Sequence, residues 1–296
     1  MDRVRQITRV DEVHRRGFVG SQVTVAVMDT GIVAHIDFGK RVTGFLDPLY
    51  GKSVSYDDNG HGTHVAGIVA GSGFASKGKY RGMAPGCNIL AIKVLDRMGN
   101  GDTKKVVKAL RWLIQNREKY NIRILNISVG MLTSAKAEEQ SLLIEAVEEV
   151  WNAGIVVVAA AGNNGPLRGS VTVPGLCPSI ITVGSSDDEE NSMRKLGLMK
   201  GYSGRGPTDA CVMKPEVVAP GTSIVSCGRT AGSYEVKSGT SMATPVVAGA
   251  IAILLGRYPS LTPAEVKIRM HETLVDMGRP RWVQGWGRLD VVRLIR

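Results

Sequence analysis

Aromatic residues and cysteines are scarce in this sequence, and its start lacks an apolar segment. Aromatics make up 5% of the 296 residues, so the core must consist mainly of Val, Ile, Leu and Ala, as in a buried parallel sheet. The four cysteines form no CxxC pair and no metal-ligand spacing, which predicts free thiols rather than disulfides or a zinc site. No segment matches a signal peptide or a membrane span. We therefore expect a cytoplasmic protein without a membrane partner, or a secreted one whose leader and pro-domain have been removed.

The charge balance is basic, with 37 Lys and Arg against 27 Asp and Glu and a net charge of +10. The basic residues are dispersed, and no basic module with interleaved aromatic residues is present. This distribution predicts no nucleic-acid partner. A solvated basic surface that favours acidic substrates or partners accounts for the charge.

Apolar, β-branched runs alternate with segments of helical periodicity along the chain. This alternation is typical of βαβ units and predicts an α/β fold with a mostly parallel sheet. No linker or internal repeat divides the chain, so we expect a single domain over residues 1–296, with residues 1–20 as an N-terminal extension. The predicted strands are residues 23–28, 88–94, 122–127, 155–160, 180–183 and 223–226, and the predicted helices are residues 62–70, 103–120, 137–153, 240–258 and 263–272.

Three short runs each place one chemically active side chain at the end of a predicted element. Asp29 ends the apolar strand VAVMD, His61 opens the helical run HGTHVAG, and Ser241 opens the helical run SMATPVVAGA. A Ser hydroxyl becomes a strong nucleophile when an adjacent base takes its proton and a third group holds that base. Each residue alone has an ordinary alternative, because Asp is common in turns, His is common in structural roles, and Ser is a frequent helix N-cap.

The order Asp, His, Ser along the chain is the order found in subtilisin, and a fourth run, AAAGNNG, follows the strand at residues 155–160. Together these runs resemble those of the subtilisin-like serine proteases (subtilase or peptidase S8 family) over roughly residues 20–290. The segment GKYRGMAPG is most similar to intracellular and AprX-like bacterial subtilisins. The resemblance implies a three-layer α/β sandwich, with a central, mostly parallel sheet flanked by helices. It also implies that Asp29 orients His61 as the general base, Ser241 is the nucleophile and Asn163 donates to the oxyanion.

A peptide or protein substrate, bound as an extended strand between two backbone edges, also follows from the resemblance. In relatives, Gly often occupies the base of the pocket for the residue before the scissile bond, whereas Thr172 stands there in this sequence. We therefore expect a preference for small or medium side chains over large aromatic ones. The matching edges and pocket are formed by Gly99, Asn100, Gly101, Ser128, Val129, Gly130, Ala160, Ala161, Gly162 and Thr172.

No required cofactor and no catalytic metal are implied. His61 and His64 could suggest metal ligands on one helix, but no HExxH pattern or third ligand is nearby, so we expect a structural role for His64. Family calcium sites use an Asp that matches Asp37, together with an oxygen-rich loop. The corresponding loop, residues 71–82, has basic residues and no carboxylate, which predicts no strong calcium site and leaves a weak structural calcium at Asp37 open. About 20 residues precede the first predicted strand, too few for the pro-domain of secreted relatives.

The leading functional hypothesis is a serine endopeptidase that acts through an acyl-enzyme intermediate. A dedicated maturation protease for one peptide or proprotein would share the same residues. A non-catalytic peptide-binding protein that keeps the cleft is the alternative from another class. The intact set of Asp29, His61, Asn163 and Ser241 argues against that alternative. No oligomeric state follows from the sequence.

Overall fold

The computed structural model describes residues 1–128, 136–189, 201–208 and 210–296. Seven strands in these residues pair in parallel to form one sheet. They are β1 (Thr24–Asp29), β2 (Val42–Leu46), β3 (Asn88–Lys93), β4 (Ile122–Ile127), β5 (Val156–Ala160), β6 (Ile181–Ser185) and β7 (Val217–Ala219). Their order across the sheet is β2-β3-β1-β4-β5-β6-β7, so β1 lies between β3 and β4. Two further strands, β8 (Ile224–Cys227) and β9 (Tyr234–Lys237), form a separate antiparallel pair.

Helices cover the sheet on both faces. The helices of the described residues are, in chain order, α1 (Asp2–Thr8), α2 (Val10–His14), α3 (His61–Ala70), α4 (Thr103–Gln115), α5 (Arg117–Tyr120), α6 (Ala137–Asn152), α7 (Thr240–Arg257), α8 (Pro263–Thr273), α9 (Arg281–Gln284) and α10 (Val291–Leu294). A short 3-10 turn at Phe74–Ser76 follows α3.

The side chains of β1 alternate between two helical layers. Val25 and Val27 belong to the apolar cluster that contains α3 and α7, whereas Ala26 and Met28 belong to the cluster that contains α4 and α6. Every residue of β1 is buried, as expected for a parallel strand that is covered on both faces. The predicted three-layer α/β sandwich is therefore confirmed.

Helix α7 is long and apolar enough to cross a membrane by length and composition, and 83% of it is buried inside the protein. It is apolar on all sides because it packs against strands as well as against α3. A helix that is apolar all round and buried in this way is a core helix. It begins at Thr240, so its N-terminus presents Ser241.

The predicted strands match the observed strands within two residues at each end. The strand predicted at residues 223–226 is β8, which lies outside the parallel sheet and pairs with β9 in an antiparallel hairpin. β2, β7 and β9 were not predicted. β2 contains Gly44 and is only partly buried, and β7 has three residues, so neither gives a strong strand signal. β9 alternates apolar and polar residues strictly, but this alternation extends over only four residues.

The segment predicted as one helix over residues 103–120 forms two helices that meet at Asn116. The backbone N–H and the side-chain Nδ2 of Asn116 both donate to the carbonyl of Trp112, at 3.0 Å and 2.9 Å. An Asn side chain that bonds the local backbone competes with continued helix formation. The apolar periodicity continues through this break, which is why it was missed.

Residues 1–20, expected as an extension, include the helices α1 and α2. Val4, Val10 and Val13 are buried in the same apolar cluster as α3 and α7. The Arg3 guanidinium donates to Asp187 at 2.6 Å, which attaches α1 to the loop after β6. All four cysteines are free thiols, as predicted, and Cys211 is exposed whereas the other three are buried.

Candidate active site

The three predicted catalytic residues lie where a strand ends and two helices begin. Asp29 is the last residue of β1, His61 is the first residue of α3, and Ser241 is the second residue of α7. Ligands and active sites of open α/β sheets occur at the carboxyl ends of the strands. The predicted position of Asp29 at that edge is therefore confirmed by the fold.

Asp29 and His61 are joined by a bifurcated hydrogen bond from His61 Nδ1 to both oxygens of the Asp29 carboxylate. The His61 Nδ1 lies 2.8 Å from Asp29 Oδ1 and 3.0 Å from Oδ2, and the Thr30 N–H also donates to Oδ1 at 2.7 Å. Asp29 is buried, and 25% of the His61 side chain is exposed. A carboxylate can only accept hydrogen bonds, so Nδ1 carries the proton that it donates to Asp29, and Nε2 is the nitrogen that is left to act as a base.

Burial by itself would lower the pKa of His61, but the Asp29 carboxylate outweighs it and raises the pKa above its ordinary value. The imidazolium formed when His61 takes a proton is therefore stabilised by its partner. This is the electrostatic requirement of a general base that must hold a proton during a reaction.

Ser241 and His61 line one cleft of about 250 Å³. Ser241 is half-buried at the N-terminus of α7, where the helix dipole favours negative charge. The residues that line the cleft are Thr30, Asn59, His61, Leu95, Gly99, Ser128 and Ser241.

Asn163 is held against the start of α7. Its Oδ1 accepts hydrogen bonds from the Thr240 backbone N–H at 3.0 Å and from the Thr240 hydroxyl at 3.1 Å. Its Nδ2 lies 3.2 Å from the position that a Cβ at Gly239 would occupy, and Gly239 has φ of 146°, which favours glycine. The two hydrogen bonds from Thr240 therefore hold the Asn163 amide next to the residues that precede Ser241. Because Oδ1 is the acceptor in both bonds, the Nδ2 group of Asn163 is left as a donor.

The first predicted substrate edge lies in a tight, exposed loop. The Asp96 carboxylate accepts from the N–H groups of Met98 and Asn100, at 2.8 Å and 2.9 Å, and Gly101 pairs with Leu95 in an antiparallel bridge. Gly99 has a positive φ of 83° and lines the cleft.

The second predicted edge is described only at Ser128, which lines the cleft and accepts a hydrogen bond from Asn126 Nδ2 at 2.7 Å. Val129 and Gly130 lie outside the described residues. Their predicted contact with substrate therefore stays a prediction.

Thr172 packs directly on Gly162. A Cβ added to Gly162 would lie 2.5 Å from Thr172 Oγ1, and the Thr172 N–H donates to the Ala161 carbonyl at 3.0 Å. Ala160 ends β5, and Thr172 is 4% exposed. The lining of the 250 Å³ cleft, as far as the described residues define it, does not include these four. Their role in a substrate pocket stays a prediction.

His64 has a structural position. Its Nε2 lies 3.0 Å from the Ile224 carbonyl and 3.1 Å from the Glu235 carbonyl, so the ring joins α3 to the β8–β9 pair. Burial, followed by the charges of His61 and Lys237, lowers the pKa of His64 to about 3, which keeps the ring neutral.

Thr30 and Asp57 are site residues that the sequence reasoning missed. The Thr30 hydroxyl donates to Asp57 Oδ1 at 2.8 Å and accepts from the Gly62 N–H at 2.9 Å. Asp57 also accepts from the N–H groups of Gly60 and Thr63, at 2.7 Å and 2.9 Å. Burial alone would raise the pKa of Asp57, but these hydrogen bonds hold it below its ordinary value. The two adjacent acids Asp57 and Asp58, directly before the sequence NGHG, were the only indication in the sequence that Asp57 belongs to the site.

The Asp37 carboxylate is surrounded by hydrogen-bond donors. Its Oδ1 accepts from the Ala75 N–H at 3.0 Å, and its Oδ2 accepts from the Gly73 N–H at 3.1 Å and the Tyr234 hydroxyl at 2.8 Å. The Cys227 thiol lies 3.8 Å from the same Oδ2. Calcium binds to carboxylate oxygens whose lone pairs are free. Here backbone N–H groups of the loop at residues 71–82 donate hydrogen bonds to the Asp37 oxygens that would otherwise bind the ion.

His35, Asp37 and Cys227 each place one potential ligand atom within 4.8 Å of the others. Both nitrogens of the His35 ring are already engaged, since Nδ1 accepts from the Asp37 N–H at 3.1 Å and Nε2 lies 2.9 Å from the Ser233 carbonyl. With the Asp37 oxygens also bonded, this group fits a hydrogen-bonded core cluster better than a metal site.

Removal of calcium is expected to leave the stability unchanged. Because protein donors already bond both carboxylate oxygens of Asp37, the melting temperature with EDTA and with added calcium should agree within about 2 °C. Differential scanning fluorimetry at both conditions measures this. A decrease of about 10 °C or more with EDTA would contradict it and reveal a tight site elsewhere in the chain.

The comparisons with known proteins agree with this geometry. The model of the subtilase family (Peptidase S8) matches residues 20–287. Serine protease AprX of Bacillus subtilis is 40% identical over 95% of this chain and 67% of its own length. Subtilisin DY of Bacillus licheniformis is 35% identical over 92% of this chain and 90% of its own length.

The similar solved structures have the same fold. Sphericase superposes with a TM-score of 0.78 at 30% identity and covers 92% of both chains. A cold-adapted subtilisin-like serine proteinase superposes with a TM-score of 0.73 at 32% identity, over 92% of this chain and 88% of the other. With the family model matched over most of the chain, the sequence, the fold and the site lead to one conclusion: this chain belongs to the subtilase family and is a serine endopeptidase of the subtilisin type.

Proposed function

We propose that Asp29, His61 and Ser241 form the catalytic triad of this endopeptidase. The observation that carries the proposal is the hydrogen bond of His61 Nδ1 to both oxygens of the buried Asp29, at 2.8 Å and 3.0 Å, in a cleft that Ser241 also lines. This pairing leaves Nε2 of His61 as the base for the Ser241 hydroxyl.

In the first half of the reaction, Ser241 Oγ attacks the carbonyl carbon of the scissile bond while His61 Nε2 takes the hydroxyl proton. The tetrahedral intermediate collapses when His61 gives that proton to the leaving amine, and the acyl-enzyme remains on Ser241. In the second half, His61 Nε2 takes a proton from water while the water oxygen attacks the acyl carbon. The second tetrahedral intermediate then breaks its bond to Ser241 Oγ, His61 returns the proton to that oxygen, and the new carboxyl terminus leaves. Asp29 keeps the ring oriented and stabilises its charge in both halves.

Asn163 and the backbone N–H of Ser241 would bind the oxyanion. The Thr240 N–H and hydroxyl both hold Asn163 Oδ1, so the amide is preorganised with Nδ2 as the donor. A donor that is fixed before the reaction needs no reorganisation when charge develops, and removal of one such donor in subtilisin costs about 10²–10³ in turnover.

The substrate would bind as an extended strand over the cleft. Gly99, Asn100 and Gly101 lie in an exposed loop, and Gly99 and Ser128 both line the cleft. Exposed backbone on a loop rich in glycine can pair with a peptide without a side-chain clash.

Cleavage of an unfolded protein mixture, with the products mapped by mass spectrometry, tests the proposed activity. We expect new termini at many internal peptide bonds and none with Ser241→Ala. Cleavage of a single sequence in the whole mixture would favour a dedicated maturation protease. Absence of any cleavage by protein that is folded would contradict the proposal.

We further propose that Thr172 limits the pocket for the residue before the scissile bond, because its side chain covers Gly162. Thr172→Gly should raise kcat/KM for Phe and Tyr substrates relative to Ala and Leu substrates by about tenfold. Thr172→Val, which keeps the volume, serves as the control and should keep the wild-type preference. A wild-type enzyme that already prefers Phe, with no change in Thr172→Gly, would show that the pocket lies elsewhere.

A cytoplasmic location is also a proposal, and it is supported by the four free thiols, since such thiols persist in reducing compartments. Protein isolated under alkylating conditions and denatured without reductant should gain an adduct on each cysteine. Intact-mass measurement detects this. A gain on two cysteines or on none would indicate disulfides and an oxidising compartment.

A further inference from the structure

Lys93 is a fully buried lysine at the active-site end of the sheet. It is the last residue of β3 and lies opposite Asp29 in the register of β3 with β1. Its exposed fraction is 0%, and the preceding residues of β3 are apolar except Asn88. A lysine in such a position needs a partner for each donor, because an unpaired buried charge is strongly destabilising.

All three donors of the Lys93 ammonium have acceptors. Nζ donates to the Thr30 carbonyl at 2.6 Å, to Asp58 Oδ1 at 2.6 Å and to the Leu95 carbonyl at 2.9 Å. Three donated hydrogen bonds are the full capacity of a protonated lysine and exceed that of a neutral amine. The Lys93 Nζ also lies over the face of the Tyr56 ring, 4.9 Å from its centroid, in a cation–π contact.

Each acceptor belongs to a different part of the active site. Thr30 follows Asp29 and bonds the N–H of Gly62, the residue after His61. Asp58 lies in the loop that leads into His61. Leu95 lines the cleft and pairs with Gly101 of the predicted substrate edge.

We propose that Lys93 is a positioning residue for peptide-bond hydrolysis, whose ammonium fixes the end of β1, the loop before His61 and the substrate edge relative to one another. This inference rests on the proposed roles of Asp29, His61 and Ser241. Lys93 does not touch the substrate; it acts through the backbone carbonyls of Thr30 and Leu95 and through Asp58. Small displacements of a catalytic group or a bound substrate cost up to about 10²-fold in rate, so this link is expected to affect turnover.

The pair Lys93 and Asp58 also places two opposite charges at the loop that leads into His61, and their contact at 2.6 Å lets them offset each other. Among the described residues, Asp29, Asp57 and Lys237 also act on the charge of the ring, and Arg229 packs on Gly60, the residue before His61. Lys237 pairs with Glu235 at 3.2 Å, and Arg229 donates to the Asp58 carbonyl at 3.0 Å. Removal of one member of the pair leaves the other uncompensated, so the two single removals must shift the pKa of His61 in opposite directions.

The test uses Lys93→Met, Asp58→Asn and the double variant. Without Lys93, the remaining Asp58 carboxylate favours the imidazolium, so the acid limb of kcat/KM should move to higher pH by roughly 0.3–0.6 units. Without the Asp58 charge, Lys93 disfavours the imidazolium, and the acid limb should move to lower pH by a similar amount. The double variant should return the acid limb to the wild-type position. Lys93→Met and the double variant should both lose roughly tenfold to hundredfold in kcat.

Lys214→Met is the matched control. Lys214 is also fully buried and donates to Glu216 at 2.6 Å and to the Ile180 carbonyl at 3.2 Å, before the start of β6 and away from the carboxyl edge. Its removal should lower the melting temperature but leave the acid limb and kcat per active site as in the wild type. All rates are normalised to active sites titrated with a fluorophosphonate.

Acid limbs that stay in place or move in the same direction in Lys93→Met and Asp58→Asn would overturn the proposal. A kcat of Lys93→Met equal to that of Lys214→Met would also overturn it. If Lys93→Met does not fold, a lower acid limb in Asp58→Asn supports the proposal and an unchanged one overturns it. Wild-type protein that does not react with the fluorophosphonate would instead contradict the proposed catalytic function itself.

Discussion

Ser241→Ala is expected to lose roughly 10⁶-fold in kcat, the size measured for the nucleophile of subtilisin itself. The reason is that Ser241 and His61 act as one unit, so that neither contributes to acyl-enzyme formation without the other. The double variant Ser241→Ala/His61→Ala should therefore have nearly the same residual activity as Ser241→Ala. Both rates are measured on a fluorogenic peptide with purified protein.

Both variants should keep the fold, because the substituted side chains lie at the cleft and outside the apolar clusters. Circular dichroism and the melting temperature serve as controls. Cleavage at a near wild-type rate by pure Ser241→Ala would show that another residue is the nucleophile. If the loss of kcat in the double variant equals the product of the losses in the two single variants, the two residues act independently.

Asp29→Asn is expected to lose roughly 10⁴-fold in kcat with little change in KM. Both Asp29 oxygens lie within 3.0 Å of His61 Nδ1 and require that nitrogen to carry the proton. An amide at this position can donate to Nδ1, which would favour the tautomer with the proton on Nε2. That tautomer cannot accept the Ser241 proton.

Asp290→Asn is a matched control for this change, because it neutralises another largely buried carboxylate, which caps α10 at the Arg293 N–H at 3.0 Å. The control should change kcat by less than about threefold, since helix caps contribute to stability and not to the reaction. A loss of less than about tenfold in Asp29→Asn would contradict the assigned role of Asp29.

The main sheet and the ends of its strands were predictable from local sequence. β5 and the central residues of β1 and β3 are continuous apolar runs because these strands are covered on both faces, and such runs are a strong strand signal. β4 is also mostly apolar, although Arg123 and Asn126 interrupt it. Asp29 was predictable at the carboxyl edge for the same reason. The starts of α3 and α7 followed from short motifs rather than from periodicity.

The contacts that join distant segments were not predictable. Asp37 is bonded by Gly73, Ala75 and Tyr234. The family resemblance associates Asp37 with the loop at residues 71–82, but nothing in the sequence indicates that Tyr234 of the β8–β9 pair bonds there. Lys93 interrupts an apolar strand with a charge, which signals a buried partner but does not identify it. Partners of this kind are set by the packing of the whole domain, and periodicity carries no information about them.

The most direct test of the central claim is the reaction of the folded protein with a fluorophosphonate, followed by intact-mass measurement and peptide mapping. We expect one adduct per chain, located on Ser241, and no adduct in His61→Ala, since the hydroxyl then lacks its base. An adduct on a different serine, or peptide hydrolysis by wild-type protein that the reagent neither labels nor inhibits, would contradict it.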